Sequence, residues 1–242
     1  MLEHYFTKLF LFHFLELLAA VVGLYFLRRC TAEKGDKIFV WFLWYVFIVE
    51  TINLYPAFAY YEGYEFFSFL KESPFRRNYW IANPNVIIIN SFYCYYFILH
   101  LTSVKFRKAF QILLITYIAT SLLNLLVTNV YFYAYSQYST IVGAILLTLI
   151  IGFYWYELLL SNKILYSFKS LAFYVSFIAL IWHLATTPLF IYSFYYNTER
   201  SVEFVQMYRI ILISLNVFMY LGYIISFLIL SRKRRLERSF SG

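Results

Sequence analysis

Long apolar segments separated by short polar ones dominate the chain. Seven are long enough to cross the roughly 30 Å hydrocarbon core of a bilayer, because an α-helix rises about 1.5 Å per residue. They predict transmembrane helices at about 6–27, 38–60, 86–104, 109–131, 139–160, 171–192 and 208–230. Asn83-Pro84-Asn85 predicts a turn before the third of these, and the basic residues at 105–108 predict a tight turn before the fourth. Residues 1–231 are therefore predicted to form one all-α seven-transmembrane-helix domain, followed by a short basic cytoplasmic tail at 232–242.

Composition supports this interpretation. Of 242 residues, 63% are hydrophobic, 24% are aromatic and 13% are charged, which is typical of a multi-pass membrane protein and not of a soluble domain. The formal net charge of +8 lies mainly in loops and the tail. It therefore reports orientation, and we expect the lipid bilayer, and no nucleic acid, as a partner.

The distribution of basic residues predicts the orientation. With seven spans, 14 of the 20 Lys and Arg residues lie on one side of the membrane. The other six are Lys8, Lys71, Arg76, Arg77, Arg200 and Arg209. The positive-inside rule then places the N-terminus outside and the C-terminus in the cytoplasm.

The second apolar segment, 38–60, carries Glu50 near its middle. A carboxylate at that depth costs on the order of 3 kcal/mol, so it should face protein or water. Asn53 shares its helix face, and Pro56 leaves the carbonyl of Ile52 without its usual donor. We expect His183, or a histidine of the first span, as the partner of Glu50.

Other polar residues also fall inside predicted spans, where each could join helices or bind a ligand. Counted from the predicted outer end of each span, eight polar residues, Glu50 and Asn53 among them, lie in the outer half of the membrane. His100 and Glu157 fall in the inner half, which should hold packed apolar and aromatic side chains. The sequence thus predicts a polar cup open to the outside, built from His13, Glu16, Glu50, Asn53, Asn90, Asn124, His183 and Asn216.

Recognised catalytic and cofactor motifs are missing from the sequence. We find no Gly-rich phosphate loop, no Ser-His-Asp arrangement and no cofactor fingerprint, and we predict no cofactor. The ligand types of His13, Glu16, Glu50 and His183 suit a divalent metal, but their spacing matches neither HExxH nor a di-iron bundle. We therefore predict no metal site.

A weak internal repeat relates the two halves of the chain. Pro56 aligns with Pro188, and at a second offset Asn90 aligns with Asn216, so that spans 1–3 correspond to spans 5–7. This 3+1+3 layout is similar to that of SWEET-type transporters, microbial opsins and receptor-like seven-helix proteins. The SWEET-type Pro-Gln pair is missing, and span 7 has no lysine for a retinal Schiff base.

The segment FVWFLWYVFIVE at 39–50 resembles uncharacterised seven-span proteins of the bacterial inner membrane. This resemblance implies location in the bacterial inner (plasma) membrane and carries no function with it.

Three functions are consistent with these features. The first is a receptor-like sensory protein that binds a small-molecule ligand from outside and signals to a separate partner. The second is a small-solute or proton-coupled transporter with Glu50 as proton carrier. The third is an intramembrane lipid hydrolase using His13, Glu16, Glu50 and His183. Polar residues confined to the outer half favour a non-enzymatic receptor, because a transporter needs a polar route through both halves.

Overall fold

The computed structural model describes residues 2–161, 168–192 and 202–240, and their side chains within 12–161, 168–192 and 202–233. The described residues form helices that are joined by turns and short loops. The first four helices are α1 (Leu2–Arg29), α2 (Lys34–Ile52), α3 (Tyr55–Tyr61) and α4 (Tyr79–His100). They are followed by α5 (Val104–Val127), α6 (Val130–Tyr133), α7 (Gln137–Leu160), α8 (Leu171–Ile191) and α9 (Val202–Phe240). Two single 3-10 turns, Ser68–Leu70 and Pro74–Arg76, connect α3 to α4.

Within the described residues, five helical segments are long and apolar enough to cross a membrane. The chain is therefore a multi-pass membrane protein by length and composition. Large apolar side chains cover its outside; Leu126 and Val127 on α5 are each 82% exposed, as expected for contact with lipid. The five segments are Lys34–Tyr61, Val104–Val127, Gln137–Leu160, Leu171–Ile191 and Val202–Lys233.

Six long helices form a closed ring in the order α1, α2, α4, α7, α8 and α9, with α9 returning to α1. Helix α5 lies outside this ring against α4 and α7. In the predicted repeat, α1, α2 and α4 correspond to α7, α8 and α9. The contact between α4 and α7 then corresponds to the contact between α9 and α1. A repeat with the fourth span as a linker would produce these neighbours, although the repeat itself stays a prediction.

The two ends of the ring differ in charge. One end, called here the basic end, carries the α1–α2, α4–α5 and α7–α8 connections and the last part of α9. Lys233 on α9 donates to the carbonyl of Phe168 before α8, at 3.3 Å, which places these segments together. The basic end holds Arg28, Arg29, Lys34, Lys37, Lys105, Arg107, Lys108, Lys169, Arg232 and Lys233.

The predicted second span, 38–60, is divided in the structure. Helix α2 ends at Ile52, a turn at Asn53 and Leu54 follows, and α3 begins at Tyr55. Pro56 has no N–H to donate to the carbonyl of Ile52, and its ring is tolerated in the first turn of a new helix. The prediction of a loosened carbonyl was right, and that of one continuous helix was wrong.

The predicted start of the third span at Val86 is wrong. Asn83, Pro84 and Asn85 were expected to form a turn, but α4 begins at Tyr79 and runs through Pro84. A proline this near the helix start removes one hydrogen bond, to the carbonyl of Trp80. The two asparagine side chains bond to other segments, and these contacts stabilise the extended helix.

The predicted fourth span, 109–131, is displaced. Its helix α5 begins at Val104 and ends at Val127, and α6 is a separate turn. The basic residues 105–108, expected in a turn, therefore form the start of α5. Glu157 at the end of α7 explains the early start, because its carboxylate accepts from the backbone N–H groups of Thr102 (2.5 Å) and Ser103 (3.0 Å).

The helix of the predicted seventh span does not end at residue 230. Helix α9 continues without a break to Phe240, so the predicted tail at 232–242 is helical over its described residues. Helix-favouring Arg, Lys, Leu and Glu fill this segment, and no Pro or Gly occurs before Gly242. By contrast, the predictions for spans 5 and 6 agree with α7 and α8 within two residues.

Candidate functional site: a polar cavity in the half opposite the basic end

A cavity of about 880 Å³ lies inside the ring, in the half opposite the basic end. Its lining on α4 runs from the first turn, at Tyr79, down to Tyr93, and on α9 from Tyr208 to Tyr223. The α6–α7 connection, with Tyr135 and Gln137, contributes its rim. The cavity therefore extends from the end of the bundle to about the middle of its helices.

Glu50 lines this cavity from the last turn of α2 and is partly buried. Its Oε1 accepts from the side-chain amide of Asn85 on α4 at 3.2 Å, and the hydroxyl of Tyr45 donates to the Asn85 Oδ1 at 3.0 Å. Asn53 lies beside the carboxylate, on the shared face that the sequence predicted. Glu50 is thus hydrogen-bonded to Asn85 and to neither of the predicted histidines, and of these two His13 interacts with it electrostatically.

Glu16 forms a second acidic position on the cavity wall, from α1. His13 lies 2.8 Å from its Oε2 through Nδ1, and the hydroxyl of Tyr220 donates to its Oε1 at 3.0 Å. The side chain is only 2% exposed, and both oxygens have a partner. This cluster joins α1 to α9, and Glu16 is close enough to Glu50 for the two carboxylates to interact electrostatically.

Besides Asn53, two of the predicted asparagines line the cavity. The Oδ1 of Asn216 accepts from the indole N–H of Trp182 at 2.8 Å, which links α9 to α8. The Oδ1 of Asn124 accepts from the hydroxyl of Ser136 at 3.3 Å. Their oxygens are therefore occupied, and each amide group presents N–H donors.

Three predicted site residues do not line the cavity: His13, Asn90 and His183. Asn90 is buried between helices and donates to Tyr117 (3.3 Å) and to the carbonyl of Ser139 (3.4 Å), so it joins α4, α5 and α7. His183 is buried, and its ring packs edge-on against Tyr93 with centroids 5.6 Å apart. Its Nε2 has no hydrogen-bond partner among the residues that the structure describes.

Other polar lining residues were missed from the sequence. They include Asn78, Asn85 and Gln137. Asn78, the N-cap of α4, and Asn85 are seven residues apart and lie on one face of the helix. This spacing could have been recognised from the sequence if the helix had been predicted to begin near Asn78. The assignment of Asn83–Asn85 to a turn concealed it.

Asn83 fixes the α6–α7 connection at the rim. Its Nδ2 lies within 2.9–3.3 Å of the carbonyls of Val130, Tyr131 and Ala134, and its Oδ1 accepts from the N–H of Ser136 at 2.8 Å. The Asn83 side chain is 1% exposed. It supplies hydrogen bonds to backbone groups of an irregular segment, where regular secondary structure does not provide them.

The floor of the cavity is aromatic. The hydroxyls of Tyr93 and Tyr223 lie 2.7 Å apart, and the ring of Phe39 packs beneath, 5.1 Å from Tyr223 and 5.3 Å from Tyr96. Glu157 lies beyond this layer, bound to the α4–α5 connection. Over the described residues, the cavity lining stops at the two tyrosines and does not reach Glu157.

The chemistry of the lining is that of recognition by hydrogen bonds, carboxylates and aromatic rings. Among the described residues, no group of three or more His, Cys, Asp and Glu side chains is placed to hold a metal ion. Comparison with protein-family models, curated protein sequences and solved structures finds no match for this chain.

Proposed function

We propose that the protein is a seven-span, receptor-like sensor of the bacterial inner membrane, with its N-terminus outside, that binds a small ligand in this cavity and signals to a separate partner. The observation that carries the proposal is the end of the cavity at Tyr93 and Tyr223. A cavity entered from one face and closed toward the other suits recognition without passage.

The helix lengths and the ring support seven spans. Helices α1 and α4 have 28 and 22 residues, lengths that can cross a bilayer. Each packs between neighbours that belong to the five apolar segments. Their polar side chains, such as Glu16 and Asn85, face the cavity, where they avoid the cost of contact with lipid.

The geometry of α9 supports signalling toward the basic end. This helix contributes Asn216, Tyr220 and Tyr223 to the cavity and then continues to Phe240. A ligand that changes the contacts of these residues biases the position of the whole helix. A partner that binds the basic end can detect that change.

A labelling experiment distinguishes the receptor from a transporter. Cys30 and Cys94 are free and buried, so both can be replaced by Ala to give a cysteine-free background. Leu212→Cys, on the cavity wall, should react with a membrane-impermeant thiol reagent added outside intact cells. Met219→Cys, nearer the floor, should stay unlabelled in inside-out vesicles, whereas labelling there would contradict the receptor proposal.

The transporter is the second candidate, and Glu50 favours it. A carboxylate that lies inside a membrane protein and has no Lys or Arg partner is a common proton carrier in transporters. A transporter would show alternating access, so that the thiol of Met219→Cys would react with a reagent added to one side of the membrane and then to the other. The lipid hydrolase has less support, because His183 does not line the cavity with the two glutamates.

A further inference from the structure

The charge of the cavity lining is one-sided. Of the described side chains that line it, Glu16 and Glu50 are the acidic ones, and none is Lys, Arg or His. An uncompensated carboxylate inside a membrane protein is unfavourable unless a positive charge or a proton accompanies it. The wall is therefore complementary to a cation.

The two carboxylates are not equivalent. Glu16 forms an ion pair with His13 when the imidazole is protonated, and it also accepts from Tyr220. Glu50 accepts from the neutral amide of Asn85. No described Lys or Arg side chain lies within 4.0 Å of Glu50, and His13, which interacts with Glu50 electrostatically, is hydrogen-bonded to Glu16. The Glu50 carboxylate is therefore the less compensated of the two.

A second observation places an unused acceptor next to Glu50. Asn53 lines the cavity and is 9% exposed, and its Oδ1 has no hydrogen-bond partner among the described residues. A buried carbonyl oxygen without a donor costs free energy. An ammonium group placed between Asn53 and Glu50 would supply donors to both oxygens.

Aromatic rings complete the wall. Phe42, Tyr79, Trp182 and Tyr208 line the cavity together with the floor tyrosines. Aromatic faces attract organic cations, most strongly where water is excluded. They also bind an apolar body, and a volume of about 880 Å³ is in the range of small-molecule sites.

We propose that the cavity recognises a small organic cation, a primary amine with an apolar or aromatic body, whose ammonium group lies against Glu50 and Asn53. This inference rests on the proposed function, because it requires the cavity to be a ligand site. It adds the chemical class of the ligand and the two residues that select it.

Binding of isosteric probes tests the inference. Phenethylamine, phenethyl alcohol and 3-phenylpropionate share an aromatic body and carry a positive, no and a negative charge. Choline serves as a control that carries a positive charge but no N–H donor. Calorimetric titration of the purified full-length protein in lipid nanodiscs should show saturable binding of phenethylamine, weaker binding of choline and of the alcohol, and no binding of the carboxylate.

Variants locate the charge recognition. Glu50→Gln should weaken phenethylamine binding by roughly 10- to 100-fold, the loss expected for one charge-assisted hydrogen bond, and leave phenethyl alcohol unchanged. Glu65→Gln makes the same change of charge on the exposed α3–α4 connection, outside the cavity, and should change neither affinity. Asn53→Ala provides a second test that keeps the carboxylate, and it should also weaken the cation selectively.

The outcomes separate this inference from the proposed function. Equal binding of the three aromatic probes, or preference for 3-phenylpropionate, overturns the cation assignment and leaves the cavity as a ligand site. Failure of phenethylamine to bind with a Kd below about 10 mM also overturns it. Labelling of Met219→Cys from the basic end overturns the receptor proposal, whatever the probes show.

Discussion

The hydroxyl oxygens of Tyr93 and Tyr223 lie 2.7 Å apart, one on α4 and the other on α9, across the floor of the cavity. The two residues are 130 positions apart in sequence, and they lie on opposite sides of the ring. Their side chains are 5% and 0% exposed, so each hydroxyl depends on the other for a hydrogen bond. This contact closes the cavity and joins the two halves of the bundle.

We expect the two tyrosines to be energetically coupled. Tyr93→Phe and Tyr223→Phe should each lower the free energy of unfolding by about 1–3 kcal/mol, because each leaves a buried hydroxyl without a partner. The double variant should cost much less than the sum, since it removes both hydroxyls. Denaturation of the four proteins in detergent measures the coupling. Additive losses would show that the bond contributes nothing to stability.

Two glycines of α7 should respond in opposite ways to alanine. A Cβ at Gly143 would lie 2.3 Å from the Asn90 Nδ2 and 2.8 Å from the Tyr117 hydroxyl, whereas one at Gly152 meets nothing within 4 Å. Gly143→Ala should therefore destabilise the protein by about 1–3 kcal/mol. Gly152→Ala should be neutral or stabilising by up to about 1 kcal/mol. Thermal unfolding compares them, and equal melting temperatures would contradict the close packing of α4 on α7.

Asn83 should be essential for the rim. Asn83→Ala removes the amide donor shared by three carbonyls and leaves the Ser136 N–H without its acceptor, so we expect a loss of at least about 2 kcal/mol in unfolding free energy. Asn129→Ala changes an exposed asparagine of the same region and should have little effect. Limited proteolysis at 128–138 offers a second measurement. Faster cleavage is expected for the Asn83 variant, and similar rates in both would argue against an anchoring role.

Topology can be measured with reporter fusions. Fusions after Lys37, Lys108, Lys169 and Gly242 should report the cytoplasm, and fusions within 62–78 should report the outside, because basic residues favour the cytoplasmic face. A cytoplasmic signal from 62–78 would invert the proposed orientation and contradict the seven-span arrangement.

The existence of the helices was readable from the sequence, but several boundaries were not. A 20-residue apolar segment is a strong local signal, as the agreement of α8 with the predicted span at 171–192 illustrates. The start of α4 before Pro84 depends on Asn83 reaching α6, and the start of α5 depends on Glu157 reaching Thr102. Both are tertiary contacts, and local propensity does not encode them.

A polar residue within a predicted span indicates which face of that helix points into the bundle. The candidate site was predictable to that extent. This reasoning found Glu16, Glu50, Asn53, Asn124 and Asn216, which all line the cavity. It could not separate them from buried polar residues that only join helices, such as Asn90, because both kinds avoid lipid.

Helix α9 runs without a break from the cavity wall to the basic end, so that a small rotation at one end becomes a larger displacement at the other. It has 39 residues, and roughly 30 Å of it lie between Tyr220 on the cavity wall and its end at Phe240. A tilt of about 5° around the cavity floor moves that end sideways by roughly 2–3 Å, while the side chains near the floor shift by only a fraction of that distance. A movement at the cavity that is too small to rearrange the bundle therefore becomes a larger displacement at its basic end.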